Sequence, residues 1–111
     1  MKYTIYALVD PNTREVRYVG QTGLTVAKRL QCHLWTARKD ARPVYAWMRG
    51  LLPAVPIIII LQEIERPAGP VTPGDNSVLR AEIKWMKRFE RSPLLCSISR
   101  DSRAYRELVN R

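Results

Sequence analysis

The chain has 111 residues, enough for one domain and a real core but not for a second module, and carries nineteen Lys and Arg against ten Asp and Glu, a net charge of +9. Two cysteines, Cys32 and Cys96, and one histidine, His33, exclude a four-ligand zinc site and a disulfide scaffold and point to a reducing compartment. The opening MKYTIYALVD does not read as a signal peptide, and the apolar run Ile57–Leu61 is too short to span a bilayer, so the expectation is a soluble cytoplasmic protein that binds nucleic acid rather than membrane.

Tyr3 to Val9 is β-branched, aromatic or aliphatic and reads as a strand; DPNTRE then clusters turn formers, and Val16 to Gly20 reads as the return strand. Centring the hairpin on Asn12 sets Tyr6 opposite Tyr18, on one face. After Gly20 the period becomes helical. Val26, Ala27, Leu30, Leu34 and Ala37 form a stripe over about Leu24 to Arg38, with Arg29 and His33 along its border. Pro43 near the first turn and Gly50 just past the end bracket a second helix holding Val44, Trp47 and Met48, and Pro53 and Pro56 bar its continuation.

PIIIILQEI, from Pro56 to Ile64, suits a central strand covered on both faces. ERPAGPVTPGD reads as a long loop, and Asp75, Asn76 or Ser77 caps a helix reaching about Phe89, with Leu79, Ile83, Met86 and Phe89 as its apolar stripe. Glu82 falls inside that stripe. PLLCSIS, Pro93 to Ser99, reads as a last short strand, and residues 100–111 as a basic, helical tail.

Taken singly, these polar residues have ordinary explanations. Tyr6 and Tyr18 suit cross-strand partners, Arg29 and His33 a solvated helix border. Trp35, Trp47 and Trp85 on helices suit core or interface as well as base stacking. Glu82 is different, because a carboxylate on an apolar face needs a cation, a metal or a cluster of donors.

In order and spacing, TIY at Thr4 to Tyr6, YVGQT at Tyr18 to Thr22, Arg29, His33 and Glu82 within LRAEIKWM resemble the GIY-YIG nuclease family over roughly Tyr3 to Ser99. The departures are Thr4 for the family's opening glycine, Val19 for isoleucine, and Cys96 and Ser97 where many members carry a downstream asparagine. The resemblance implies an α+β fold, a small three-stranded antiparallel sheet flanked by helices, in a domain of residues 1–99. It also implies a metal-dependent endonuclease that cuts phosphodiester bonds of DNA with one Mg2+ or Mn2+ held by Glu82.

Under this resemblance Tyr6 is the general base and Tyr18 shares or orients its proton. Arg29 neutralises the scissile phosphate, and His33 binds phosphate or protonates the leaving oxygen. Gln21, Lys28, Ser97, Arg100 and Arg103 join Arg29 as candidate nucleic-acid contacts. Specificity would then come from a protein partner, a homodimer, the 65–78 loop or the tail. Two other functions fit the same residues: a nucleic-acid-binding module that has lost catalysis, and a protein-interaction domain that regulates another nuclease.

Overall fold

The computed structural model describes residues 2–65 and 77–89. β1 (Lys2–Val9) leads into a turn organised by Asp10, whose carboxylate accepts the N–H groups of Asn12 at 2.8 Å and Thr13 at 3.2 Å. Asp suits this position because its side chain mimics a backbone turn. Arg14 takes a φ of 65° and donates its N–H to the Asp10 carbonyl at 2.8 Å, which returns the chain into β2 (Val16–Thr22).

The hairpin register differs from the one centred on Asn12. Tyr6 faces Gly20, and Tyr18 faces Leu8. The Asp10 N–H closes the turn on the Glu15 carbonyl at 2.9 Å, and Arg17 is an extra residue between the Val9–Val16 and Leu8–Tyr18 pairs. Such a bulge re-aims the residues beyond it. Val16 and Tyr18 therefore pack on opposite sides of the sheet, although they lie two apart. Tyr6 and Tyr18 still share a face, now diagonally, with ring centroids 6.0 Å apart.

α1 (Val26–Thr36) starts after Thr25, whose hydroxyl accepts the Lys28 N–H at 3.2 Å and supplies the N-cap that an orphan donor requires. It is shorter at both ends than the Leu24–Arg38 span expected from the apolar stripe. α2 (Pro43–Leu51) has Pro43 in its first turn as expected, but Gly50 lies inside the helix and not past its end. The stop comes from Leu52, held in extended backbone ahead of Pro53, a residue type that disfavours helix in its predecessor. Two contacts fix α2: Trp47 Nε1 donates to Asp10 Oδ2 at 3.1 Å, and Arg49 Nη1 donates to the carbonyls of Ala37 and Asp40, both at 2.6 Å.

β3 (Ile57–Glu65) completes an antiparallel sheet of order β2-β1-β3. The expectation of a central isoleucine strand is thus corrected: β1 is the middle strand. Ile5, Tyr6, Ala7 and Leu8 are fully buried, whereas Ile59 and Ile60 are 38% and 54% exposed. The cause is layering, since β1 alone has a strand on each side and helices on each face. Tyr6, Leu8 and Tyr18 pack with Ala37 and with Val44, Tyr45 and Met48 of α2. Ile5 and Val19 pack on the other face with Val78, Ala81, Ile83 and Met86 of α3 (Ser77–Arg88).

A second bulge, at Leu61, separates Ile60 opposite Tyr6 from Gln62 opposite Ile5. It turns Gln62 toward α3, where its Oε1 accepts from Trp85 Nε1 at 2.9 Å and Lys84 Nζ at 3.2 Å. The fold is α+β, as expected. Among the described residues no helix is long and apolar enough to cross a membrane. The loop over 66–76 with Asp75 and Asn76, the strand expected over Pro93–Ser99 and the tail of residues 100–111 lie outside the described residues.

Candidate active site

The centre of the site is the Tyr6 hydroxyl, carried by the middle strand to a position where nothing but protein surrounds the ring. Its oxygen lies 2.6 Å from His33 Nε2 and accepts the Arg29 Nε–H at 3.1 Å. Arg29 and His33 stand one helical turn apart on α1, so one face of one helix presents both to one phenol. His33 is 1% exposed, and its Nδ1 lies 3.3 Å from the Tyr45 hydroxyl on α2. Tyr18 closes the cluster, its ring edge-on to the imidazole with centroids 5.3 Å apart.

Burial, reinforced by the positive charges of Arg29 and Arg42, lowers the His33 pKa to about 4. The imidazole is neutral at pH 7, and its unprotonated nitrogen can accept a hydrogen bond. A 2.6 Å contact fits an O–H donor better than an N–H donor, whose bonds centre near ~2.9 to 3.0 Å. With Tyr6 O–H as the donor to Nε2, the proton of the neutral ring stands on Nδ1, facing the Tyr45 oxygen. Burial and the neighbouring Tyr18 phenol raise the Tyr6 pKa, with Arg29 opposing them, so the resting phenol keeps its proton.

Because His33 is the chain's single histidine, this assignment has a direct check. Imidazole nitrogen NMR is expected to show the neutral Nδ1–H tautomer, and Tyr45→Phe, which removes the oxygen facing Nδ1, is expected to relax it toward a mixture. A wild-type spectrum dominated by the Nε2–H form would reverse the direction of the whole hydrogen-bond chain.

His33 was expected to bind phosphate or protonate the leaving oxygen. The structure instead turns both ring nitrogens inward, onto Tyr6 and Tyr45. Arg29 is half-buried, spends Nε on Tyr6, and its two terminal nitrogens make no hydrogen bond among the described residues. Gln21 and Lys28 are exposed on β2 and α1. Ser97, Arg100 and Arg103 lie outside the described residues.

Glu82 is 3% exposed on the packed side of α3 and has neither an ion pair nor a hydrogen bond among the described residues. Burial pushes its carboxyl up to about 7, opposed only by the charge of Arg29. Its folded-state pKa exceeds the ordinary 4.5, so the folded protein binds more protons than the unfolded chain between these values and loses stability as pH rises through that window. Without divalent cations, the advantage of Glu82→Gln over the wild type is expected to grow by about 3 kcal/mol from pH 4.5 to above 7. His33, with its pKa lowered from 6.5, contributes the opposite slope in both proteins and cancels in the difference. Paired melts in EDTA read this directly, and a constant difference would contradict a raised carboxyl.

An orphaned buried carboxylate fits a hard divalent cation such as Mg2+ or Mn2+. No group of three or more His, Cys, Asp or Glu suited to a metal occurs among the described residues. Among the described residues Glu82 would be the one protein ligand there, with water and phosphate oxygens as the further ligands such a cation takes.

Two residues of the site escaped the sequence reading. Tyr45 has no local signal, since only the docking of α2 brings it to His33. Gly20 had one: a glycine inside a strand marks close approach. A Cβ there would stand 2.6 Å from Tyr18 Cε1 and 2.7 Å from the Tyr6 oxygen. Gly20→Ala is expected to displace both rings, cost about 1–3 kcal/mol by overpacking and break the Tyr6–His33 contact. Melting and the His33 nitrogen spectrum check it, and an unchanged spectrum would show that the strand absorbs the methyl group.

Comparison of the chain with protein-family models, curated proteins and solved structures finds no match.

Proposed function

We propose that this protein is an endonuclease of the GIY-YIG type, hydrolysing phosphodiester bonds of DNA with one Mg2+ or Mn2+ held by Glu82. The observation that carries the reading is the Tyr6 oxygen, fixed between the guanidinium of Arg29 and the neutral Nε2 of His33. A phenol so placed has a proton acceptor on one side and a permanent cation on the other. In a concerted relay the water's proton passes to the Tyr6 oxygen as the Tyr6 proton passes to Nε2, so no free phenolate forms. Arg29 holds the oxygen, and a phosphate anion bound there offsets part of the positive charge that adds to burial in depressing the imidazole pKa. Tyr18 packs against both rings and keeps them oriented.

The terminal nitrogens of Arg29, which make no hydrogen bond among the described residues, supply fixed positive charge for the negative charge that develops on phosphorus-bound oxygens. A divalent cation at Glu82 would polarise the phosphate and lower the pKa of a bound water. The net charge of +9 favours approach of a polyanion. A binding module without catalysis has no need of a buried carboxylate that lacks an ion pair and a hydrogen bond among the described residues, which weighs for the enzyme. Specificity would come from a partner protein or a second copy.

The test is incubation of the purified protein with plasmid, linear and branched DNA, with and without Mg2+ or Mn2+. Cation-dependent nicking or linearisation is expected, and binding without any cutting would leave the binding module as the function.

A further inference from the structure

We infer that the outer face of α1 is a platform for unpaired nucleotides, on which a single-stranded stretch of nucleic acid continues from the Arg29 site and stacks a base on Trp35. The inference rests on reading the chain as a nucleic-acid enzyme and names what that enzyme holds beside the scissile phosphate.

Three tryptophans lie on helices, and the structure separates them. The ring N–H groups of Trp47 and Trp85 donate to Asp10 and Gln62, and both rings are partly buried. Trp35 is 66% exposed, and its ring N–H has no partner among the described residues. An indole so exposed contributes little to a core, and a shallow groove runs beside it, about 550 Å3 in volume, lined by Leu24, Lys28, Gln31, Cys32, Trp35 and Thr36. Leu24 is 48% exposed. Lys28 is the one charged residue among those that line it.

Charge selects the occupant. From Gly20 to Lys39 the sequence has four cations, Lys28, Arg29, Arg38 and Lys39, and no Asp or Glu. The Arg38 guanidinium already sits over the Trp35 ring, 4.9 Å from its centroid. A cation stacked on an aromatic ring beside an apolar groove suits a ligand with flat apolar faces on an anionic thread. Nucleic-acid bases meet this only when unpaired, since in a duplex their faces are covered by their neighbours.

Continuity with the catalytic cluster fixes direction. Arg29, Cys32 and Trp35 follow each other at three-residue steps, neighbours along the helix surface. Six residues of helix advance about 9 Å along the axis and turn about 120° around it, so the strand would wrap partway round α1, over Cys32, to pass from the phosphate on Arg29 to Trp35.

Binding is tested in EDTA, where no cutting occurs, by fluorescence anisotropy of the full chain with an oligothymidylate of about twenty nucleotides and with an abasic strand of the same length. Wild type is expected to prefer the oligothymidylate. Trp35→Ala is expected to lose about tenfold or more of that affinity with the abasic strand unaffected, and Trp35→Phe to retain most of it. Lys28→Glu, which leaves the ring in place, is expected to weaken both strands alike.

Oligothymidylate affinity that is unchanged in Trp35→Ala, or lost equally for the abasic strand, would overturn the inference. So would self-association in sedimentation velocity that Trp35→Ala abolishes, because the face would then belong to a second copy of the chain. Failure of the nuclease reading appears separately, as absence of cutting in the plasmid assay, and leaves these affinities where they are.

Discussion

Glu82→Ala is expected to abolish cation-dependent cutting while DNA binding stays level or tightens and the melting temperature holds or rises. Each half of this result has its own cause. Cutting goes because the described residues offer no group of metal-ligating side chains to replace the lost carboxylate. Stability does not fall because the carboxyl is 3% exposed and has neither an ion pair nor a hydrogen bond among the described residues. Removing it deletes a desolvation cost, and alanine is the best helix former. The opposite behaviour belongs to a structural carboxylate, where stranding a buried partner costs about 3–5 kcal/mol. Thermal melts and plasmid cleavage on this one variant distinguish the two, and a destabilised protein that cuts normally would remove Glu82 from the site.

Tyr6→Phe is expected to reduce cutting by about 10²-fold or more, with the loss in kcat and KM nearly unchanged. The ring stays packed in the first core cluster, but the hydroxyl that joins Arg29 to His33 is gone. Two buried groups then lose a partner, so a stability loss of about 1–3 kcal/mol accompanies the loss of activity. Assaying well below the melting temperature separates these effects. A variant that melts lower and cuts at the wild-type rate would reduce Tyr6 to a strand residue.

The sequence made much of this arrangement legible. Alternation and turn chemistry gave the hairpin, helical spacing put Arg29 and His33 on one border, and the apolar stripe of the third helix exposed Glu82 as a misfit. What it could not show were the two bulges. Arg17 and Leu61 each break the period of two on which strand reading depends, so Val16 and Tyr18, or Ile60 and Gln62, part company across the sheet. The central strand was also disguised. Tyr3, Thr4 and Tyr6 dilute its apolar run, while the four consecutive isoleucines that open β3 advertise a burial that none of them has, two being half-buried and two exposed.

The inward turn of His33 was hidden for a related reason. Its burial depends on Tyr45, which lies twelve residues on and carries no periodic mark of its own.

The order β2-β1-β3 also bears on how the protein is made. Tyr6, Tyr18, Gly20, Arg29, His33 and Tyr45 all precede β3, whereas Glu82 follows it. On a growing chain the hairpin, a local structure, has its partner strand at once, but the other edge of β1 waits for residues about fifty positions further on, since loop closure must precede pairing. Under the proposed function, the residues assigned to proton transfer are thus synthesised before the carboxylate assigned to the cation exists. A nascent chain halted before α3 would hold its tyrosines and its histidine yet lack the carboxylate, and under the proposed function it would gain cation-dependent cutting only when that helix docks.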